Sequence, residues 1–243
     1  MDKTMRVGIL TNNFSKLNHI TRKLKNTEFN LVHLKKIPSI DHEIDVIVTD
    51  EPMEYCLTPN IIPGNLDILE LKIRCAYYQE NNLTIGIDPG GICGLVASSN
   101  NHLLFQKEFK SIVTMTEIII SIDNEIGLKN IKIGIGSPPI RNLIVSSLQN
   151  YKSKIQFIDE RRSGSGSHIE AAIRIASRIP ELNEPSEYSP KDGEIAWIQK
   201  QSRRQSKGLI TINKETANRI LLGEISMEEA IKKYTESLIK TNL

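Results

Sequence analysis

The sequence predicts a mixed α/β fold, and two stretches of regular pattern carry that prediction. From residue 83 onward, three apolar strands joined by hairpin turns precede an alternation of helix, strand, helix, strand and helix. The first eighty residues show a shorter series of strand, helix, strand and strand, which is typical of a small α/β unit. We therefore expect a mixed sheet of three antiparallel strands plus two parallel strands, flanked by helices and preceded by a small α/β N-terminal domain.

Domain boundaries are expected near residues 80 and 210. Residues 1–80 would form the small α/β domain, 81–210 the main domain and 211–243 a C-terminal helical extension. In the first of these, the apolar pattern predicts a basic amphipathic helix at 15–26, and 66–78 fits a helix or a strand equally well. Its strands are expected at 5–10, 29–34 and 44–48.

The later elements are bounded by turn and capping residues. Thr114 or Thr116 would cap one helix, Ser189 would cap another, and Gly223 would break the C-terminal helix. If the fourth strand of this region lies beside the first and the fifth beyond it, crossovers of the usual right hand connect them. The expected strands are 83–88, 95–98, 102–109, 131–135 and 155–158. One expected helix ends near residue 125, and the others span 140–150, 168–179 and 215–240.

Composition excludes several classes of protein. Hydrophobic residues make up 39% of the 243 positions and charged residues 25%, which is ordinary for a globular protein, and a net charge of +2 says little about partners. Three scattered cysteines without a C-x-x-C pair argue against a disulfide framework or zinc site and predict a cytoplasmic location. No apolar run reaches the roughly 18 residues of a membrane span, so we expect no membrane partner.

The chain is organised around residues 83–98, which read LTIGIDPGGICGLVAS. An apolar strand ends in Asp88, and Pro89 removes a backbone donor where strand pairing stops. Gly90, Gly91 and Gly94 allow a close approach of backbone or ligand. A lone acid before a turn is as typical of a turn as of a site, so its interpretation depends on the other acids of the chain.

Further acids lie at the end of one later strand and at the start of one later helix. Asp159 and Glu160 end the strand at 155–158, and Asp192 and Glu194 lie at the start of a helix. The expected strand order brings the first pair to the same sheet edge as Asp88, and the helix start can close the cluster. Two simpler interpretations stay open, since the first pair could form a surface ion pair with Arg161 and Asp192 could be only a capping acid.

These motifs resemble the RuvC-type and YqgF-type proteins of the ribonuclease H-like fold. IGIDPG resembles their first strand, IGIGSPP the end of the fourth, IQFIDERRSG the strand ending in D-E-R, and KDGEIAWI the start of the last catalytic helix. The resemblance covers roughly residues 83–205. Departures from the pattern are Gly136-Ser137 where RuvC-type resolvases place a Glu, Arg162-Ser163-Gly164 in place of a Thr-rich turn, and Gly193 in place of Ala.

The resemblance implies a metal-dependent nuclease that acts on structured nucleic acid, either branched DNA or RNA. Asp88 would be the central metal-binding carboxylate, with Glu160 or Asp159 as the second acid and Asp192 or Glu194 as the third. Two Mg²⁺ or Mn²⁺ ions about 4 Å apart would clamp the attacking and leaving oxygens of the phosphodiester. Resolvases of this group act as dimers because a junction has two-fold symmetry, so a homodimer is one expected partner state.

Basic residues are expected to meet the phosphates, where counterion release makes affinity sensitive to salt. They are Arg161, Arg162, Arg203, Arg204 and Lys207. A solvated face is the alternative interpretation for the last three. His168 could assist catalysis, but the favoured interpretation is an ordinary helix-start histidine. Trp197 could stack on a base, but it is expected to pack in the core.

Two other functions stay open. A non-catalytic nucleic-acid-binding or scaffold protein that retains the fold is favoured by the missing fourth-strand acid. An ATPase of the actin or sugar-kinase kind shares the fold and an Asp-x-Gly turn, but it needs two such domains.

Overall fold

The computed structural model describes residues 4–36, 43–100, 102–159, 166–180 and 188–241. A parallel four-stranded sheet forms near the N-terminus, with the strand order β2-β1-β3-β4. Its strands and helices are β1 (Arg6–Leu10), α1 (Phe14–Leu24), β2 (Asn30–Leu34), β3 (Val46–Thr49), β4 (Asn60–Ile61) and α2 (Leu69–Tyr78).

The central strands of this first sheet are apolar because they are covered on both faces. Every residue of β3 is buried, which is typical of a parallel strand between two layers. Asn13 caps α1 by accepting a hydrogen bond from the Lys16 backbone N–H, and the helix buries Ile20 and Leu24. The predicted strands and the helix of residues 5–48 are thus confirmed, with ends shifted by one or two residues.

The segment 66–78, whose pattern fits helix or strand, is helical. A short 3₁₀ turn at Leu66–Ile68, capped by the Asn65 side chain, leads into α2. Leu69 and Ile73 join the core of the first sheet, while Leu71 is buried outside that group. A helix buried on two sides explains why the apolar residues alternate like those of a strand. Gln79, in the left-handed region at φ 57°, ends it.

A second, mixed sheet has the order β7-β6-β5-β8-β9, in which the fourth strand of this region lies beside the first and the fifth beyond it. β8 and β9 pair in parallel, with Ile131 beside Ile155 and Gly134 beside Ile158. The strands are β5 (Leu83–Asp88), β6 (Cys93–Ser99), β7 (His102–Phe109), β8 (Leu128–Gly134) and β9 (Ile155–Ile158). The helices are α3 (Ile112–Glu125), α4 (Pro138–Ser147), α5 (His168–Ser177), α6 (Asp192–Gln205), α7 (Lys214–Leu221) and α8 (Met227–Thr241).

Two predicted helix starts are wrong. α3 begins earlier than Thr114, because Ser111 accepts the Thr114 backbone N–H on its hydroxyl and takes the capping position. α6 begins at Asp192, because the Glu194 carboxylate bonds the Lys191 backbone N–H, so Ser189 is not the cap. The predicted break at Gly223 is confirmed, since this glycine lies at φ 77° between α7 and α8.

The chain divides into two compact units. One comprises residues 1–83, 97–105 and 118–129, and the other comprises 84–96, 106–117 and 130–243. The domain boundaries near residues 80 and 210 stay a prediction. None of the helices described is long and apolar enough to cross a membrane.

A buried carboxylate ties the β6–β7 hairpin to the end of α2. Glu80 is 8% exposed and accepts hydrogen bonds from Ser99 Oγ (2.6 Å), Asn100 Nδ2 (2.8 Å) and His102 Nδ1 (3.3 Å). These bonds, that of Ser99 foremost, lower the pKa of Glu80. The His102 ring also stacks on Tyr78, with the centroids 4.2 Å apart.

We expect Glu80→Gln to lower the melting temperature, because the new amide N–H₂ would face donors. A carboxylate with a lowered pKa stabilises the fold above its ordinary pKa, and this stabilisation is lost as the pH falls through the lower, folded value. The difference in melting temperature between the wild type and Glu80→Gln should therefore be largest near neutral pH and shrink below the ordinary glutamate pKa. Thermal unfolding from pH 7 to pH 3 measures it.

Glu54→Gln is the matched control, since Glu54 is exposed. Its melting temperature should follow that of the wild type at every pH. A Glu80→Gln protein as stable as Glu54→Gln at pH 7 would show that the three hydrogen bonds contribute nothing net.

Candidate functional site

The candidate site lies at the end of β5, the central strand of the second sheet. Leu83, Ile85 and Ile87 of this strand are fully buried, which fixes the backbone leading to Asp88. The Asp88 carboxylate is 14% exposed, and its Oδ2 lies 2.8 Å from Nδ1 of His168. An aspartate and a histidine that are 80 positions apart in the sequence are thereby paired.

Two glycines let α5 lie directly against the strands. A Cβ on Gly94 would lie 2.1 Å from the carbonyl oxygen of His168, and one on Gly86 would lie 2.4 Å from that of Ala172. Both neighbours are helix backbone, which cannot rotate aside. The close approach that the sequence predicts for Gly94 is therefore an approach of a helix, and it sets the position of His168 above Asp88.

The start of α5 is fixed locally as well. Ser167 accepts the Glu170 backbone N–H on its hydroxyl, and the Glu170 carboxylate accepts the Ser167 backbone N–H, which together form a capping box. His168 is the first helical residue, so the capping box also fixes the backbone position from which its imidazole ring extends.

The pairing indicates which ring nitrogen donates. An ionised carboxylate can only accept, so Nδ1 of His168 carries the proton and donates it to Asp88. Nε2 of a neutral ring is then left as an acceptor, and His168 is 43% exposed. This arrangement orients the carboxylate while one basic nitrogen stays free to accept a proton.

Cys93 is close in sequence but is not a nucleophile. It is buried at the start of β6, and its Sγ lies 3.5 Å from the Gly90 carbonyl oxygen, to which it donates. Burial raises the pKa of this thiol, which keeps it protonated and inert.

Asp159 lies directly after β9, the outer strand of the second sheet. Gly86 and Asp88 face α5, and so does Lys132 of β8, whose Nζ donates to the carbonyl oxygens at the end of α5. Residues alternate between faces, so Ile133 and its partner Phe157 face the other way. β9 ends at Ile158, so Asp159 follows the strand, and its backbone carbonyl oxygen accepts a hydrogen bond from Arg178 at the end of α5. A place for the Asp159 carboxylate beside Asp88 therefore stays a prediction.

The two acids of α6 have other partners. Asp192 is 92% exposed, and its nearest charged neighbour is Lys214 Nζ at 3.8 Å. Glu194 accepts hydrogen bonds from Tyr188 Oη (2.7 Å) and the Lys191 backbone N–H (2.8 Å). Burial alone would raise the pKa of Glu194, but these bonds outweigh it and lower the pKa. The glutamate is therefore engaged in capping its own helix.

The structure thus brings Asp88 together with His168. Within the described ranges, no group of three or more His, Cys, Asp or Glu side chains could hold a metal ion. Glu160, Arg161 and Arg162 lie outside the described residues, so the metal site built on Asp88 and Glu160 stays a prediction.

Reasoning from sequence missed the pairing of His168 and misplaced Trp197. The signal for His168 was present, because Gly94 required a close neighbour and a histidine opens the helix that follows the last strand. Trp197 was expected in the core, but it is 36% exposed on α6. Arg203, Arg204 and Lys207, the predicted phosphate-binding residues, are exposed at the end of the same helix.

Comparisons with known proteins bear mainly on the C-terminal helices. A family model described as a three helical bundle domain matches residues 191–236, which contain α6, α7 and most of α8. The match includes Asp192 and Glu194 with these three helices. A search of curated proteins finds no match.

One solved structure is similar to this chain only weakly. It is the crystal structure of an exopolyphosphatase from Cytophaga hutchinsonii ATCC 33406, with 12% sequence identity and a TM-score of 0.19. The alignment covers 91% of this chain and 68% of that one. A likeness at this level carries no argument about fold or function.

Proposed function

We propose that the chain is a metal-dependent nuclease of the RuvC/YqgF type, with a ribonuclease H-like domain that hydrolyses phosphodiester bonds in branched DNA or RNA. The observation that carries the proposal is the pairing of Asp88 with His168 at the end of the central strand. The order β7-β6-β5-β8-β9, with the key acid on the middle strand, supports the assignment to this fold.

The pairing suits a carboxylate that binds a hard cation. Outer partners such as an imidazole N–H orient the ligating oxygens, and Oδ1 of Asp88 has no part in the bond to His168. Asp88 would hold Mg²⁺ or Mn²⁺, with Glu160 as the second acid expected from the sequence. A bound divalent ion would neutralise charge on the phosphodiester and lower the pKa of water.

The residues of the chain have separate tasks in this proposal. Asp88 binds, His168 orients it through Nδ1, and Nε2 of the neutral ring can accept a proton from water or substrate. The exposed cations Arg203, Arg204 and Lys207 attract the nucleic-acid backbone. Asp192, at 92% exposure, has no assigned contact with the reacting atoms.

A non-catalytic nucleic-acid-binding protein is the second candidate. It is favoured by the two acids of α6, since Glu194 caps its own helix and Asp192 is exposed beside Lys214. Such a protein would bind the same substrates but would not cut them.

A cleavage panel with Mn²⁺ and Mg²⁺ separates the two candidates. Branched DNA, single-stranded DNA and structured RNA are incubated with the wild type, with Asp88→Asn and with Glu117→Gln, which alters an exposed acid of α3. We expect metal-dependent cleavage by the wild type and by Glu117→Gln. The cleavage rate of Asp88→Asn should fall by more than the roughly 10–100-fold that is typical when a residue behind a metal ligand is changed.

Cleavage that persists in Asp88→Asn would contradict the proposed site. Binding of the panel without cleavage in either metal would favour the second candidate instead.

A further inference from the structure

A cleft between α6, the start of α3 and the start of α8 does not include Asp88 or His168, although Arg204 is part of its lining. It has a volume of about 280 Å³. Leu143 and Met227 form a buried apolar part of its lining, and Trp197 contributes its exposed ring. The chain has one tryptophan, and it lies in this cleft.

One face of α6 supplies an aromatic, an amide and a cation in a row. Trp197, Gln201 and Arg204 are four and three residues apart, so they follow one another along the same side of the helix. Seven residues of helix rise about 10 Å. This row is long enough to place a ring at one end of a nucleotide and a guanidinium at the other.

The polar side chains on the other side of α6 are already satisfied. Gln199 Nε2 donates to the Ile212 carbonyl oxygen at 2.9 Å, and Ser202 Oγ donates to the Gln199 carbonyl oxygen and accepts the Ile212 backbone N–H. By contrast, the side chains of Trp197, Gln201 and Arg204 make no hydrogen bond or ion pair with any described residue. Their donors are available to a ligand.

Charge at the cleft favours an anion. Lys110 lies at the start of α3 and has no acidic partner among the described residues. The 14-residue helix α3 begins two residues later and adds the partial positive charge of its N-terminus. Glu228 is the one acid among the described residues that line the cleft, so Arg204 and Lys110 leave a net positive charge there.

We infer that this cleft binds one nucleotide of a single-stranded nucleic acid, with the base stacked on Trp197 and the phosphate held by Arg204 and Lys110. Aromatic rings stack on any base, and a neighbouring cationic groove follows the backbone, which is the usual arrangement for binding single strands without sequence preference. The inference deepens the proposed function, because it gives the nucleic acid a place to bind apart from Asp88.

The experiment uses Trp197 as its own reporter. An oligo-dT of 12 nucleotides is titrated into the full chain in EDTA, and tryptophan emission is followed at several salt concentrations. We expect saturable quenching. Arg204→Ala should weaken binding about fivefold or more and reduce the slope of log affinity against log salt by about 0.7, which corresponds to one lost phosphate contact on a single strand.

Lys200→Ala is the matched control. Lys200 is an exposed cation of α6 that does not line the cleft, so its removal should change affinity less than twofold. Glu228→Gln should tighten binding, because it removes the only carboxylate of the lining. Trp197→Phe, measured by anisotropy of a labelled strand, should weaken binding less than Trp197→Leu, because a phenyl ring still stacks.

Three outcomes would overturn the inference. The first is that the oligonucleotide binds but the emission of Trp197 does not change. The second is that Arg204→Ala and Lys200→Ala bind with equal affinity. The third is that poly-glutamate of equal charge displaces the oligonucleotide. Because EDTA stops metal-dependent cleavage, absence of nuclease activity would leave this result intact and would count only against the nuclease proposal.

Discussion

Gly94→Ala is expected to lower the free energy of unfolding by about 3 kcal/mol or more, the upper end of the usual cost of overpacking. The new Cβ would lie 2.1 Å from the His168 carbonyl oxygen and 2.5 Å from its carbonyl carbon. Both atoms belong to the first turn of α5, so the whole helix has to move away from β6. Urea denaturation at pH 7 measures the loss.

Gly91→Ala provides the control within the same turn. No atom lies within 4 Å of a Cβ built at Gly91, and this glycine is not at positive φ. Its substitution should be neutral, or stabilising by about 0.4–1 kcal/mol through the unfolded state. If Gly94→Ala and Gly91→Ala unfold at the same urea concentration, the close contact of α5 with β6 is not present in solution.

His168→Ala is expected to lower metal-dependent cleavage by about 10–100-fold, on the proposal that Asp88 is a metal ligand and His168 its orienting partner. The loss of the bond at 2.8 Å lets the carboxylate rotate, so the concentration of Mn²⁺ at half-maximal rate should rise. Cleavage rates measured over a range of Mn²⁺ concentrations separate this effect from a change in substrate binding.

His168→Asn is the informative second variant, since its side-chain amide can donate to Asp88 but cannot accept a proton as an imidazole does. A half-maximal Mn²⁺ concentration close to that of the wild type, together with a lower maximal rate, would assign both orientation and proton transfer to the ring. Equal Mn²⁺ dependence and equal rates in all three proteins would remove His168 from the site.

The mixed sheet of hairpins and crossovers could be predicted because it depends on local signals, whereas the place of the fourth strand beside the first was only a condition of that prediction. Turn residues such as Pro89 and Asn100 mark the hairpins, and the helices between β7, β8 and β9 require crossovers of one hand. The helical state of residues 69–78 could not be predicted, because burial on two sides gives the same alternation as a strand.

The candidate site was predicted only in part, for physical reasons that particular residues show. The pairing of Asp88 with His168 depends on the packing of α5 over Gly86 and Gly94. Gly94 indicates that something approaches closely, but the local sequence does not say which element it is. An acid in the first turn of a helix fits a cap and a metal site equally, and Glu194 proved to be a cap. The sequence predicts Trp197 in the core because its side chain is large and apolar. The hydrogen bonds by which Gln199 and Ser202 occupy the inward side of α6 cannot be inferred from hydrophobicity.

The contact between α5 and the strands has one consequence for variation and engineering of the chain. Because the backbone of α5 lies against the strands at Gly86 and Gly94, the spacing between the two elements does not depend on the side chain at position 168. The group at position 168 can therefore be exchanged for other ligands or bases without redesigning the support beneath it. This makes position 168 a tolerant place to install new chemistry opposite a fixed carboxylate.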